Sequence, residues 1–159
     1  MIRIGQSTDV HQLVSNRPLI IGGVNIPHDK GLLGHSDADV LLHAIAEAIL
    51  GALGLNDLGT HFKDNDENTK GMSSLLILKI VYEMMDERNF MIGNVDSLVI
   101  IEKPHLRPYI EKMRENIANT LNTNINNINV KATCCEKMGF IGKEEGAVAQ
   151  AVVLLVSKE

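Results

Sequence analysis

Asp9 and His11 stand two residues apart, so in an extended segment their side chains project from the same face. A carboxylate beside an imidazole suits zinc or a similar divalent ion. An isolated D-x-H pair is a weak signal and needs a third ligand from elsewhere in the chain. His43 is the natural candidate. Asp39, His43 and Glu47 follow at i, i+4 and i+8, a polar stripe along one side of a helix. That stripe reads either as a solvated helix face carrying an ordinary Asp–His pair, or as a metal ligand, His43, whose ring is oriented by Asp39. Three protein ligands with a fourth position open make a catalytic metal arrangement rather than a closed structural one.

Other groups point toward an anionic, hydroxylated ligand. His35 and Ser36 lie at the expected entrance of the His43 helix, where free N–H groups and the positive dipole end favour anions. Capping accounts for Ser36, which leaves His35 placed to meet a phosphate. The segments Asp57-Leu58-Gly59 and Phe62-Lys63-Asp64 read as a loop offering carboxylates to hydroxyl groups, or as an acidic surface loop. Further on, Lys131 to Lys137 leaves a strand and runs into Gly139-Phe140-Ile141-Gly142, small residues that allow close approach of a ligand to backbone. Glu136 suits a hard cation such as Mg²⁺ bridging substrate phosphates, or forms a routine surface pair with Lys137. Neither GxxxxGK[ST] nor GxGxxG occurs, which disfavours the standard nucleoside-triphosphate and dinucleotide folds.

The elements that must position these residues follow from periodicity. Residues 2–11 read as a strand. Residues 18–27 read as a hairpin turned at Gly22-Gly23. Ser36 to Leu53 is helical, with Val40, Leu41, Ala44, Ile45, Ala48, Ile49 and Ala52 on one stripe, a start signal at Ser36/Asp39 and a stop near Gly54. An acidic polar stretch from Asn56 to Lys70 precedes a second helix at 72–88, expected to bury Leu75, Leu76, Leu78, Ile80 and Val81, with Met84 and Met85 filling gaps. A strand at 95–101, a helix at 108–122 and strands at 128–135 and 147–156 complete the pattern. The Asn-rich run from Asn122 to Asn129 reads as a turn into the following strand. With no repeat and no linker, residues 1–159 form one sheet-and-helix sandwich.

Composition narrows the function classes. At 159 residues with 45% apolar and 22% charged residues, the chain can bury one core. Aromatics are only 3%, so that core must be aliphatic. A net charge of −5 argues against nucleic-acid binding, and an anionic substrate would have to be held by cations other than side chains. No window can span a bilayer and no secretory signal is visible, so neither membrane nor export is expected. The adjacent Cys134 and Cys135 would point to opposite faces of a strand and cannot pair readily, which fits a reduced, cytoplasmic chain.

These residues converge on a known pattern. The chain resembles the 2-C-methyl-D-erythritol 2,4-cyclodiphosphate synthase family from end to end. The similarity is carried by Arg3-Ile4-Gly5 with Asp9-Val10-His11, by His35-Ser36-Asp37-Ala38-Asp39-Val40 through His43-Ala44 to Gly51-Ala52, by Gly93-Asn94-Val95-Asp96, and by Asn129 to Thr133 with Glu136-Lys137. The resemblance implies an α+β fold with helices on one face of a sheet. It also implies a homotrimer whose sheets enclose a central channel, with active sites between subunits. The implied reaction is that of a phosphorus–oxygen lyase: the 2-phosphate of 4-diphosphocytidyl-2-C-methyl-D-erythritol 2-phosphate attacks the β-phosphorus, releasing CMP and leaving the cyclic diphosphate of non-mevalonate isoprenoid synthesis.

By the same resemblance Asp9, His11 and His43 hold Zn²⁺ or another divalent ion, and Glu136 holds Mg²⁺ or Mn²⁺ with the diphosphate. His35 and Cys134 match groups near the transition state. Ser36, Asp57, Leu58, Gly59, Phe62, Asp64 and Asp66 match the substrate-binding region. Ile101, Pro104, His105, Leu106 and Arg107, with Ala132, Thr133 and Cys135, match the cytidine pocket. Phe140 and Lys143 match a channel region where an isoprenoid diphosphate can bind.

The chain departs from the family pattern at several places. Ser7 and Thr8 replace the common glycine and aromatic, Cys134 a threonine, Lys63 a proline and Lys143 an arginine. Two readings compete with the synthase: a metal-dependent phosphodiesterase using the same three ligands, and a non-catalytic isoprenoid-diphosphate-binding trimer.

Overall fold

A computed structural model describes Met1–Glu159. Its main sheet has five strands in the order β4 (Lys30–Leu32), β1 (Ile2–Ser15), β7 (Gly146–Ser157), β5 (Phe90–Ile100) and β6 (Ile128–Thr133). β1 and β7 pair antiparallel from Ile2↔Val156 to Gln12↔Gly146, and only β5 with β6 is parallel. The short strands β2 (Leu19–Ile21) and β3 (Val24–Ile26) form a separate hairpin turned at Gly22 and Gly23. Both glycines have positive φ, +61° and +73°, the geometry such a two-residue turn demands.

Most of the sheet alternates between two environments, apart from the continuously buried start of β7, Gly146–Ala149. On β1, Gly5, Ser7 and Leu13 are buried and Asp9 and His11 half-buried, while Ile2, Ile4 and Val10 face outward and are exposed. On β7, Ala147, Ala149, Ala151, Val153 and Leu155 join the core. Helix α1 (Val40–Leu53) lies on that inner face against β1 and β7, followed by α3 (Ser74–Glu87) and α4 (Ile110–Thr120). Gly5 permits the contact, because a Cβ there would stand 1.8 Å from the Ala48 carbonyl oxygen. A single aliphatic core results, as the scarcity of aromatics requires. The architecture is α+β in one domain, and no helix is long and apolar enough to cross a membrane.

Some boundaries differ from the periodicity. Helix α1 begins at Val40 rather than Ser36, because Ala38 is held at φ +57° and Asp39 caps the helix by accepting the Leu42 N–H. Gly54 ends it at φ +71°. In α3, Leu76 is exposed and Ile77 takes the buried place. β5 starts five residues earlier than its β-branched run, across a register irregularity between Ile92 and Asn94. β4 was too short to register as a periodic segment. The Asn-rich run forms the turn Ile125–Asn127 that leads into β6.

Candidate active site

β1 presents Asp9 and His11 on its inner face, and the first turn of α1 presents His43 to them. His11 Nε2 lies 2.9 Å and His43 Nδ1 lies 3.3 Å from the same oxygen, Asp9 Oδ2, and the two ring nitrogens are 3.3 Å apart. The three ligand atoms all fall within 4.8 Å of one another.

Hydrogen bonds behind the rings determine which lone pairs point inward. His11 Nδ1 is 2.8 Å from the Leu33 carbonyl oxygen, which can only accept, so Nδ1 carries the proton and Nε2 is free to coordinate. Gly34 leaves room for this ring, since a Cβ there would meet His11 Cε1 at 3.1 Å. On the other side, the Ser74 hydroxyl donates to Asp37 and its oxygen lies 2.9 Å from His43 Nε2. His43 Nε2–H therefore donates to Ser74 and Nδ1 is the free atom. Ser36 Oγ, 3.1 Å away, is a second acceptor for the same N–H.

Two lone pairs and a carboxylate oxygen thus converge on one point. Asp9 Oδ2 is buried and receives no hydrogen bond. An orphaned anionic oxygen flanked by two imidazole lone pairs is electrostatically unfavourable unless a cation lies between them, and this set suits a divalent ion of the zinc type. A proton competes for the same place. Burial opposes charge on Asp9, but imidazoles that carry a proton on the facing nitrogen donate to it, outweigh burial and hold its carboxyl down to about 2. Burial likewise works to lower the His11 pKa, and the Asp9 carboxylate overrides it and raises it.

Asp39 does not orient His43, contrary to the helix spacing. Its Oδ1 accepts from Gly22 N (2.9 Å) and Leu42 N (3.0 Å), and its Oδ2 from Gly23 N (2.7 Å). This fully buried carboxylate ties the hairpin to the start of α1. Burial pushes it up to about 6 against the opposing pull of those N–H groups. Ser74, backed by Asp37, stands behind His43 instead.

A cavity of about 220 Å³ opens above the three ligands, lined by His35, Ser36, Glu47, Leu58, Gly59, Phe62, Asp64, Thr69 and Ile77. His35 is not at a helix terminus, because α1 starts later than its capping signal. Its Nε2 donates to the Asp66 carbonyl (3.0 Å), joining it to the acidic loop. Asp57 and Asp66 do not line the cavity. Asp57 Oδ1 accepts from Thr60 N and Oγ1 at the start of α2 (Leu58–His61), bonds that lower its pKa, and Asp66 caps the turn at Glu67–Thr69.

A second, larger cavity of about 670 Å³ runs between the 101–107 segment and the end of β6. Ile101, Pro104, His105, Leu106, Arg107, Ala132, Thr133 and Cys134 line it together with Glu102 and Lys131. Cys135 and Glu136 lie outside the lining. Glu102 organises their turn by accepting from Cys135 N and Lys137 N, both at 3.0 Å. Glu136, at φ +51°, is exposed, and the Cys134 thiol donates to it at 3.9 Å. It belongs to no cluster of three ligands. Phe140 borders a shallow hollow with Val10, Gln12, Glu145 and Gly146, and Lys143 is exposed outside it. Sequence reasoning singled out neither Ser74 nor Glu102, and Glu47 entered only as the third member of the polar stripe. The i+4 spacing from His43 was the one signal that placed Glu47 on this side.

Fold and site together define an α+β protein with a three-ligand metal-type centre at the floor of a cleft. The YgbB family profile matches residues 2–156, and the chain belongs to this family. A Geobacillus sp. (strain WCH70) protein named 2-C-methyl-D-erythritol 2,4-cyclodiphosphate synthase is 58% identical over 158 residues, covering 99% of this chain and 100% of the relative. The Plasmodium falciparum IspF in a CDP complex superposes with a TM-score of 0.88 at 35% identity, covering 99% of this chain and 97% of that one. The bifunctional IspDF from Campylobacter jejuni matches with a TM-score of 0.96 at 42% identity, covering all of this chain, which spans 43% of the longer polypeptide.

Proposed function

We propose that this chain is a cyclodiphosphate synthase, converting 4-diphosphocytidyl-2-C-methyl-D-erythritol 2-phosphate to 2-C-methyl-D-erythritol 2,4-cyclodiphosphate with release of CMP. The observation that carries the reading is the convergence of Asp9, His11 and His43 on one point, with an undonated carboxylate oxygen, at the floor of the cleft. The named relatives support the substrate. When bound there, a divalent ion such as Zn²⁺ supplies positive charge that orients and polarises a substrate phosphate.

The chain's own groups do the rest by placement. The attacking phosphate is already anionic, so no strong base is required and the demand is for alignment of two anions. Asp9 and the two imidazoles, each locked in one tautomer from behind, hold the cation position rigidly. His35, tethered to the Asp66 carbonyl through Nε2, lines the cleft with its other ring nitrogen unused by that bond. Leu58, Phe62 and Ile77 give the cavity an apolar wall that keeps water from competing with ring closure. Gly59 and Asp64 face the polyol, and the second cavity takes the cytidine, with Cys134 at its rim. Glu136 would hold Mg²⁺ or Mn²⁺ beside the diphosphate.

The two cavities share no lining residue, which supports active sites completed by a neighbouring subunit. The open sheet face with exposed Ile2, Ile4, Val10, Met91 and Val152 supports a trimer packed through its sheets; a cytoplasmic location is part of the same proposal. The hollow at Phe140 opens beside that face and is the place for an isoprenoid diphosphate. Phosphorus NMR with the cytidine substrate tests the reading: CMP and a cyclic diphosphate are expected. A linear phosphate would show a phosphodiesterase, and binding without turnover a non-catalytic trimer.

A further inference from the structure

From Val40 to Leu50, α1 is enclosed on every side except at two residues, His43 and Glu47, one helical turn apart. Both open onto the same cavity as Asp9. His43 is accounted for by its inward lone pair. Glu47 is not: it stands outside the three converging ligands, and a bare carboxylate would repel a phosphorylated ligand. Its oxygens are engaged elsewhere. Oε2 accepts from the Ser7 hydroxyl at 2.5 Å, and Oε1 accepts from Leu58 N at 3.1 Å. Ser7 is buried on β1, two residues before Asp9 and on the same face. Leu58 opens the four-residue α2, and it and Gly59 wall the cavity opposite the ligands.

We propose that Glu47 is a positioning residue which, with Ser7, clamps the 57–59 rim to the strand and helix that carry the metal ligands, and so determines how the polyol part of the substrate sits relative to its phosphate end. The identity of that substrate rests on the function proposed above. A helix as short as α2 has little cohesion of its own, so the orientation of its first turn depends on what its N–H groups reach. Asp57 serves one of them, at Thr60, from within the loop; Glu47 serves another, at Leu58, from the scaffold. Only the second bond transmits the position of the metal site to the rim.

Glu47→Gln, Glu47→Ala and Ser7→Ala test the clamp. The glutamine preserves both contacts, its amide oxygen accepting from Leu58 N–H and its NH₂ donating to Ser7 Oγ. In Glu47→Ala, KM for the cytidine substrate should rise about tenfold with a much smaller change in kcat. The divalent-ion content should stay at the wild-type level by metal analysis. Glu47→Gln should restore KM to within about threefold of wild type, the uncertainty of one neutral hydrogen bond. Without any substrate, amide exchange at Leu58 and Gly59 should quicken in Glu47→Ala and, less strongly, in Ser7→Ala.

Loss of kcat in Glu47→Gln together with the acidic limb of its pH–rate profile would make Glu47 a proton-transfer group and overturn the clamp. Loss of metal would make it a ligand, and unchanged exchange at Leu58 would show that the rim is held otherwise. If wild type releases no CMP, the proposed reaction fails while the exchange measurement still decides the clamp. If Glu47→Ala does not fold, Glu47→Gln and Ser7→Ala carry the same comparison.

Discussion

Around Asp9, His11 and His43, the inward-pointing rings are held from behind by Leu33, Ser36, Ser74 and Asp37, while along the second cavity His105, Arg107, Lys131, Ala132, Thr133 and Cys134 are exposed. In the first region each ring has its outer nitrogen tied by hydrogen bonds, which leaves the inner nitrogens aimed at one point. The second is a surface whose shape comes from a backbone turn pinned by Glu102. Chemistry that needs exact placement of charge belongs to the first, and recognition that tolerates adjustment to the second.

The sharpest way to break this contrast is at the first region. His43→Ala should abolish binding of a divalent ion and lower turnover by on the order of a thousandfold or more, with circular dichroism unchanged, because one of three ligands is lost and the side chain borders the cavity and is not part of the apolar core cluster. Retained activity in metal-analysed mutant protein would remove the metal site from the reaction. Ser74→Ala should weaken zinc affinity by about tenfold in a competition titration, since the His43 N–H loses its nearer acceptor at 2.9 Å and keeps only Ser36 Oγ at 3.1 Å. Asp39→Asn should leave that affinity within a fewfold of wild type, because Asp39 braces the hairpin and not the ring.

A pH comparison sharpens the same division through stability. Asp39 has a folded pKa of about 6, above its ordinary 3.8. Its contribution is therefore fully present below 3.8 and is lost as pH rises through about 6. Asp96, bonded to Lys131 at 2.8 Å and to Asn129 at the edge of the second cavity, is lowered instead, chiefly by Lys131. Its smaller contribution is present above 3.8 and is lost as pH falls through the lowered value. Urea unfolding across pH 3–7 should show the first slope vanish in Asp39→Asn and the second in Asp96→Asn. The smallest effect is expected at Cys134→Thr, which should keep or raise the rate by no more than about threefold, as a hydroxyl replaces a thiol at an exposed rim. A large loss there would give the thiol a role of its own.

Much of this was readable from residue spacing. The alternation of β1 places Asp9 and His11 on one face, the α1 stripe is buried as its periodicity implies, and the glycine pair turns the hairpin. Other features were hidden for definite reasons. The start of α1 was misplaced because Ser36 and Asp39 both resemble caps, and only the left-handed Ala38 shows which of them acts as one. Leu76 and Ile77 are equivalent in hydropathy, so their exposure depends on how α3 rolls against its neighbours. Asp39 stood at the right spacing to support His43, but three N–H groups from a hairpin 16 and 17 residues upstream and from its own helix compete more strongly for its carboxylate.

What the amino-acid order settled alone is local: which residues share a strand face, which turn the chain, and which types of ligand are present. Tertiary structure decided everything that joins distant segments. It set Ser74 rather than Asp39 behind His43, gave Glu47 its partners on β1 and α2, and left Asp9 Oδ2 without a donor. The reason is physical: periodicity records the repeat of the backbone, which is local, whereas a hydrogen bond or a coordination site depends on where separate elements come to rest against a common core.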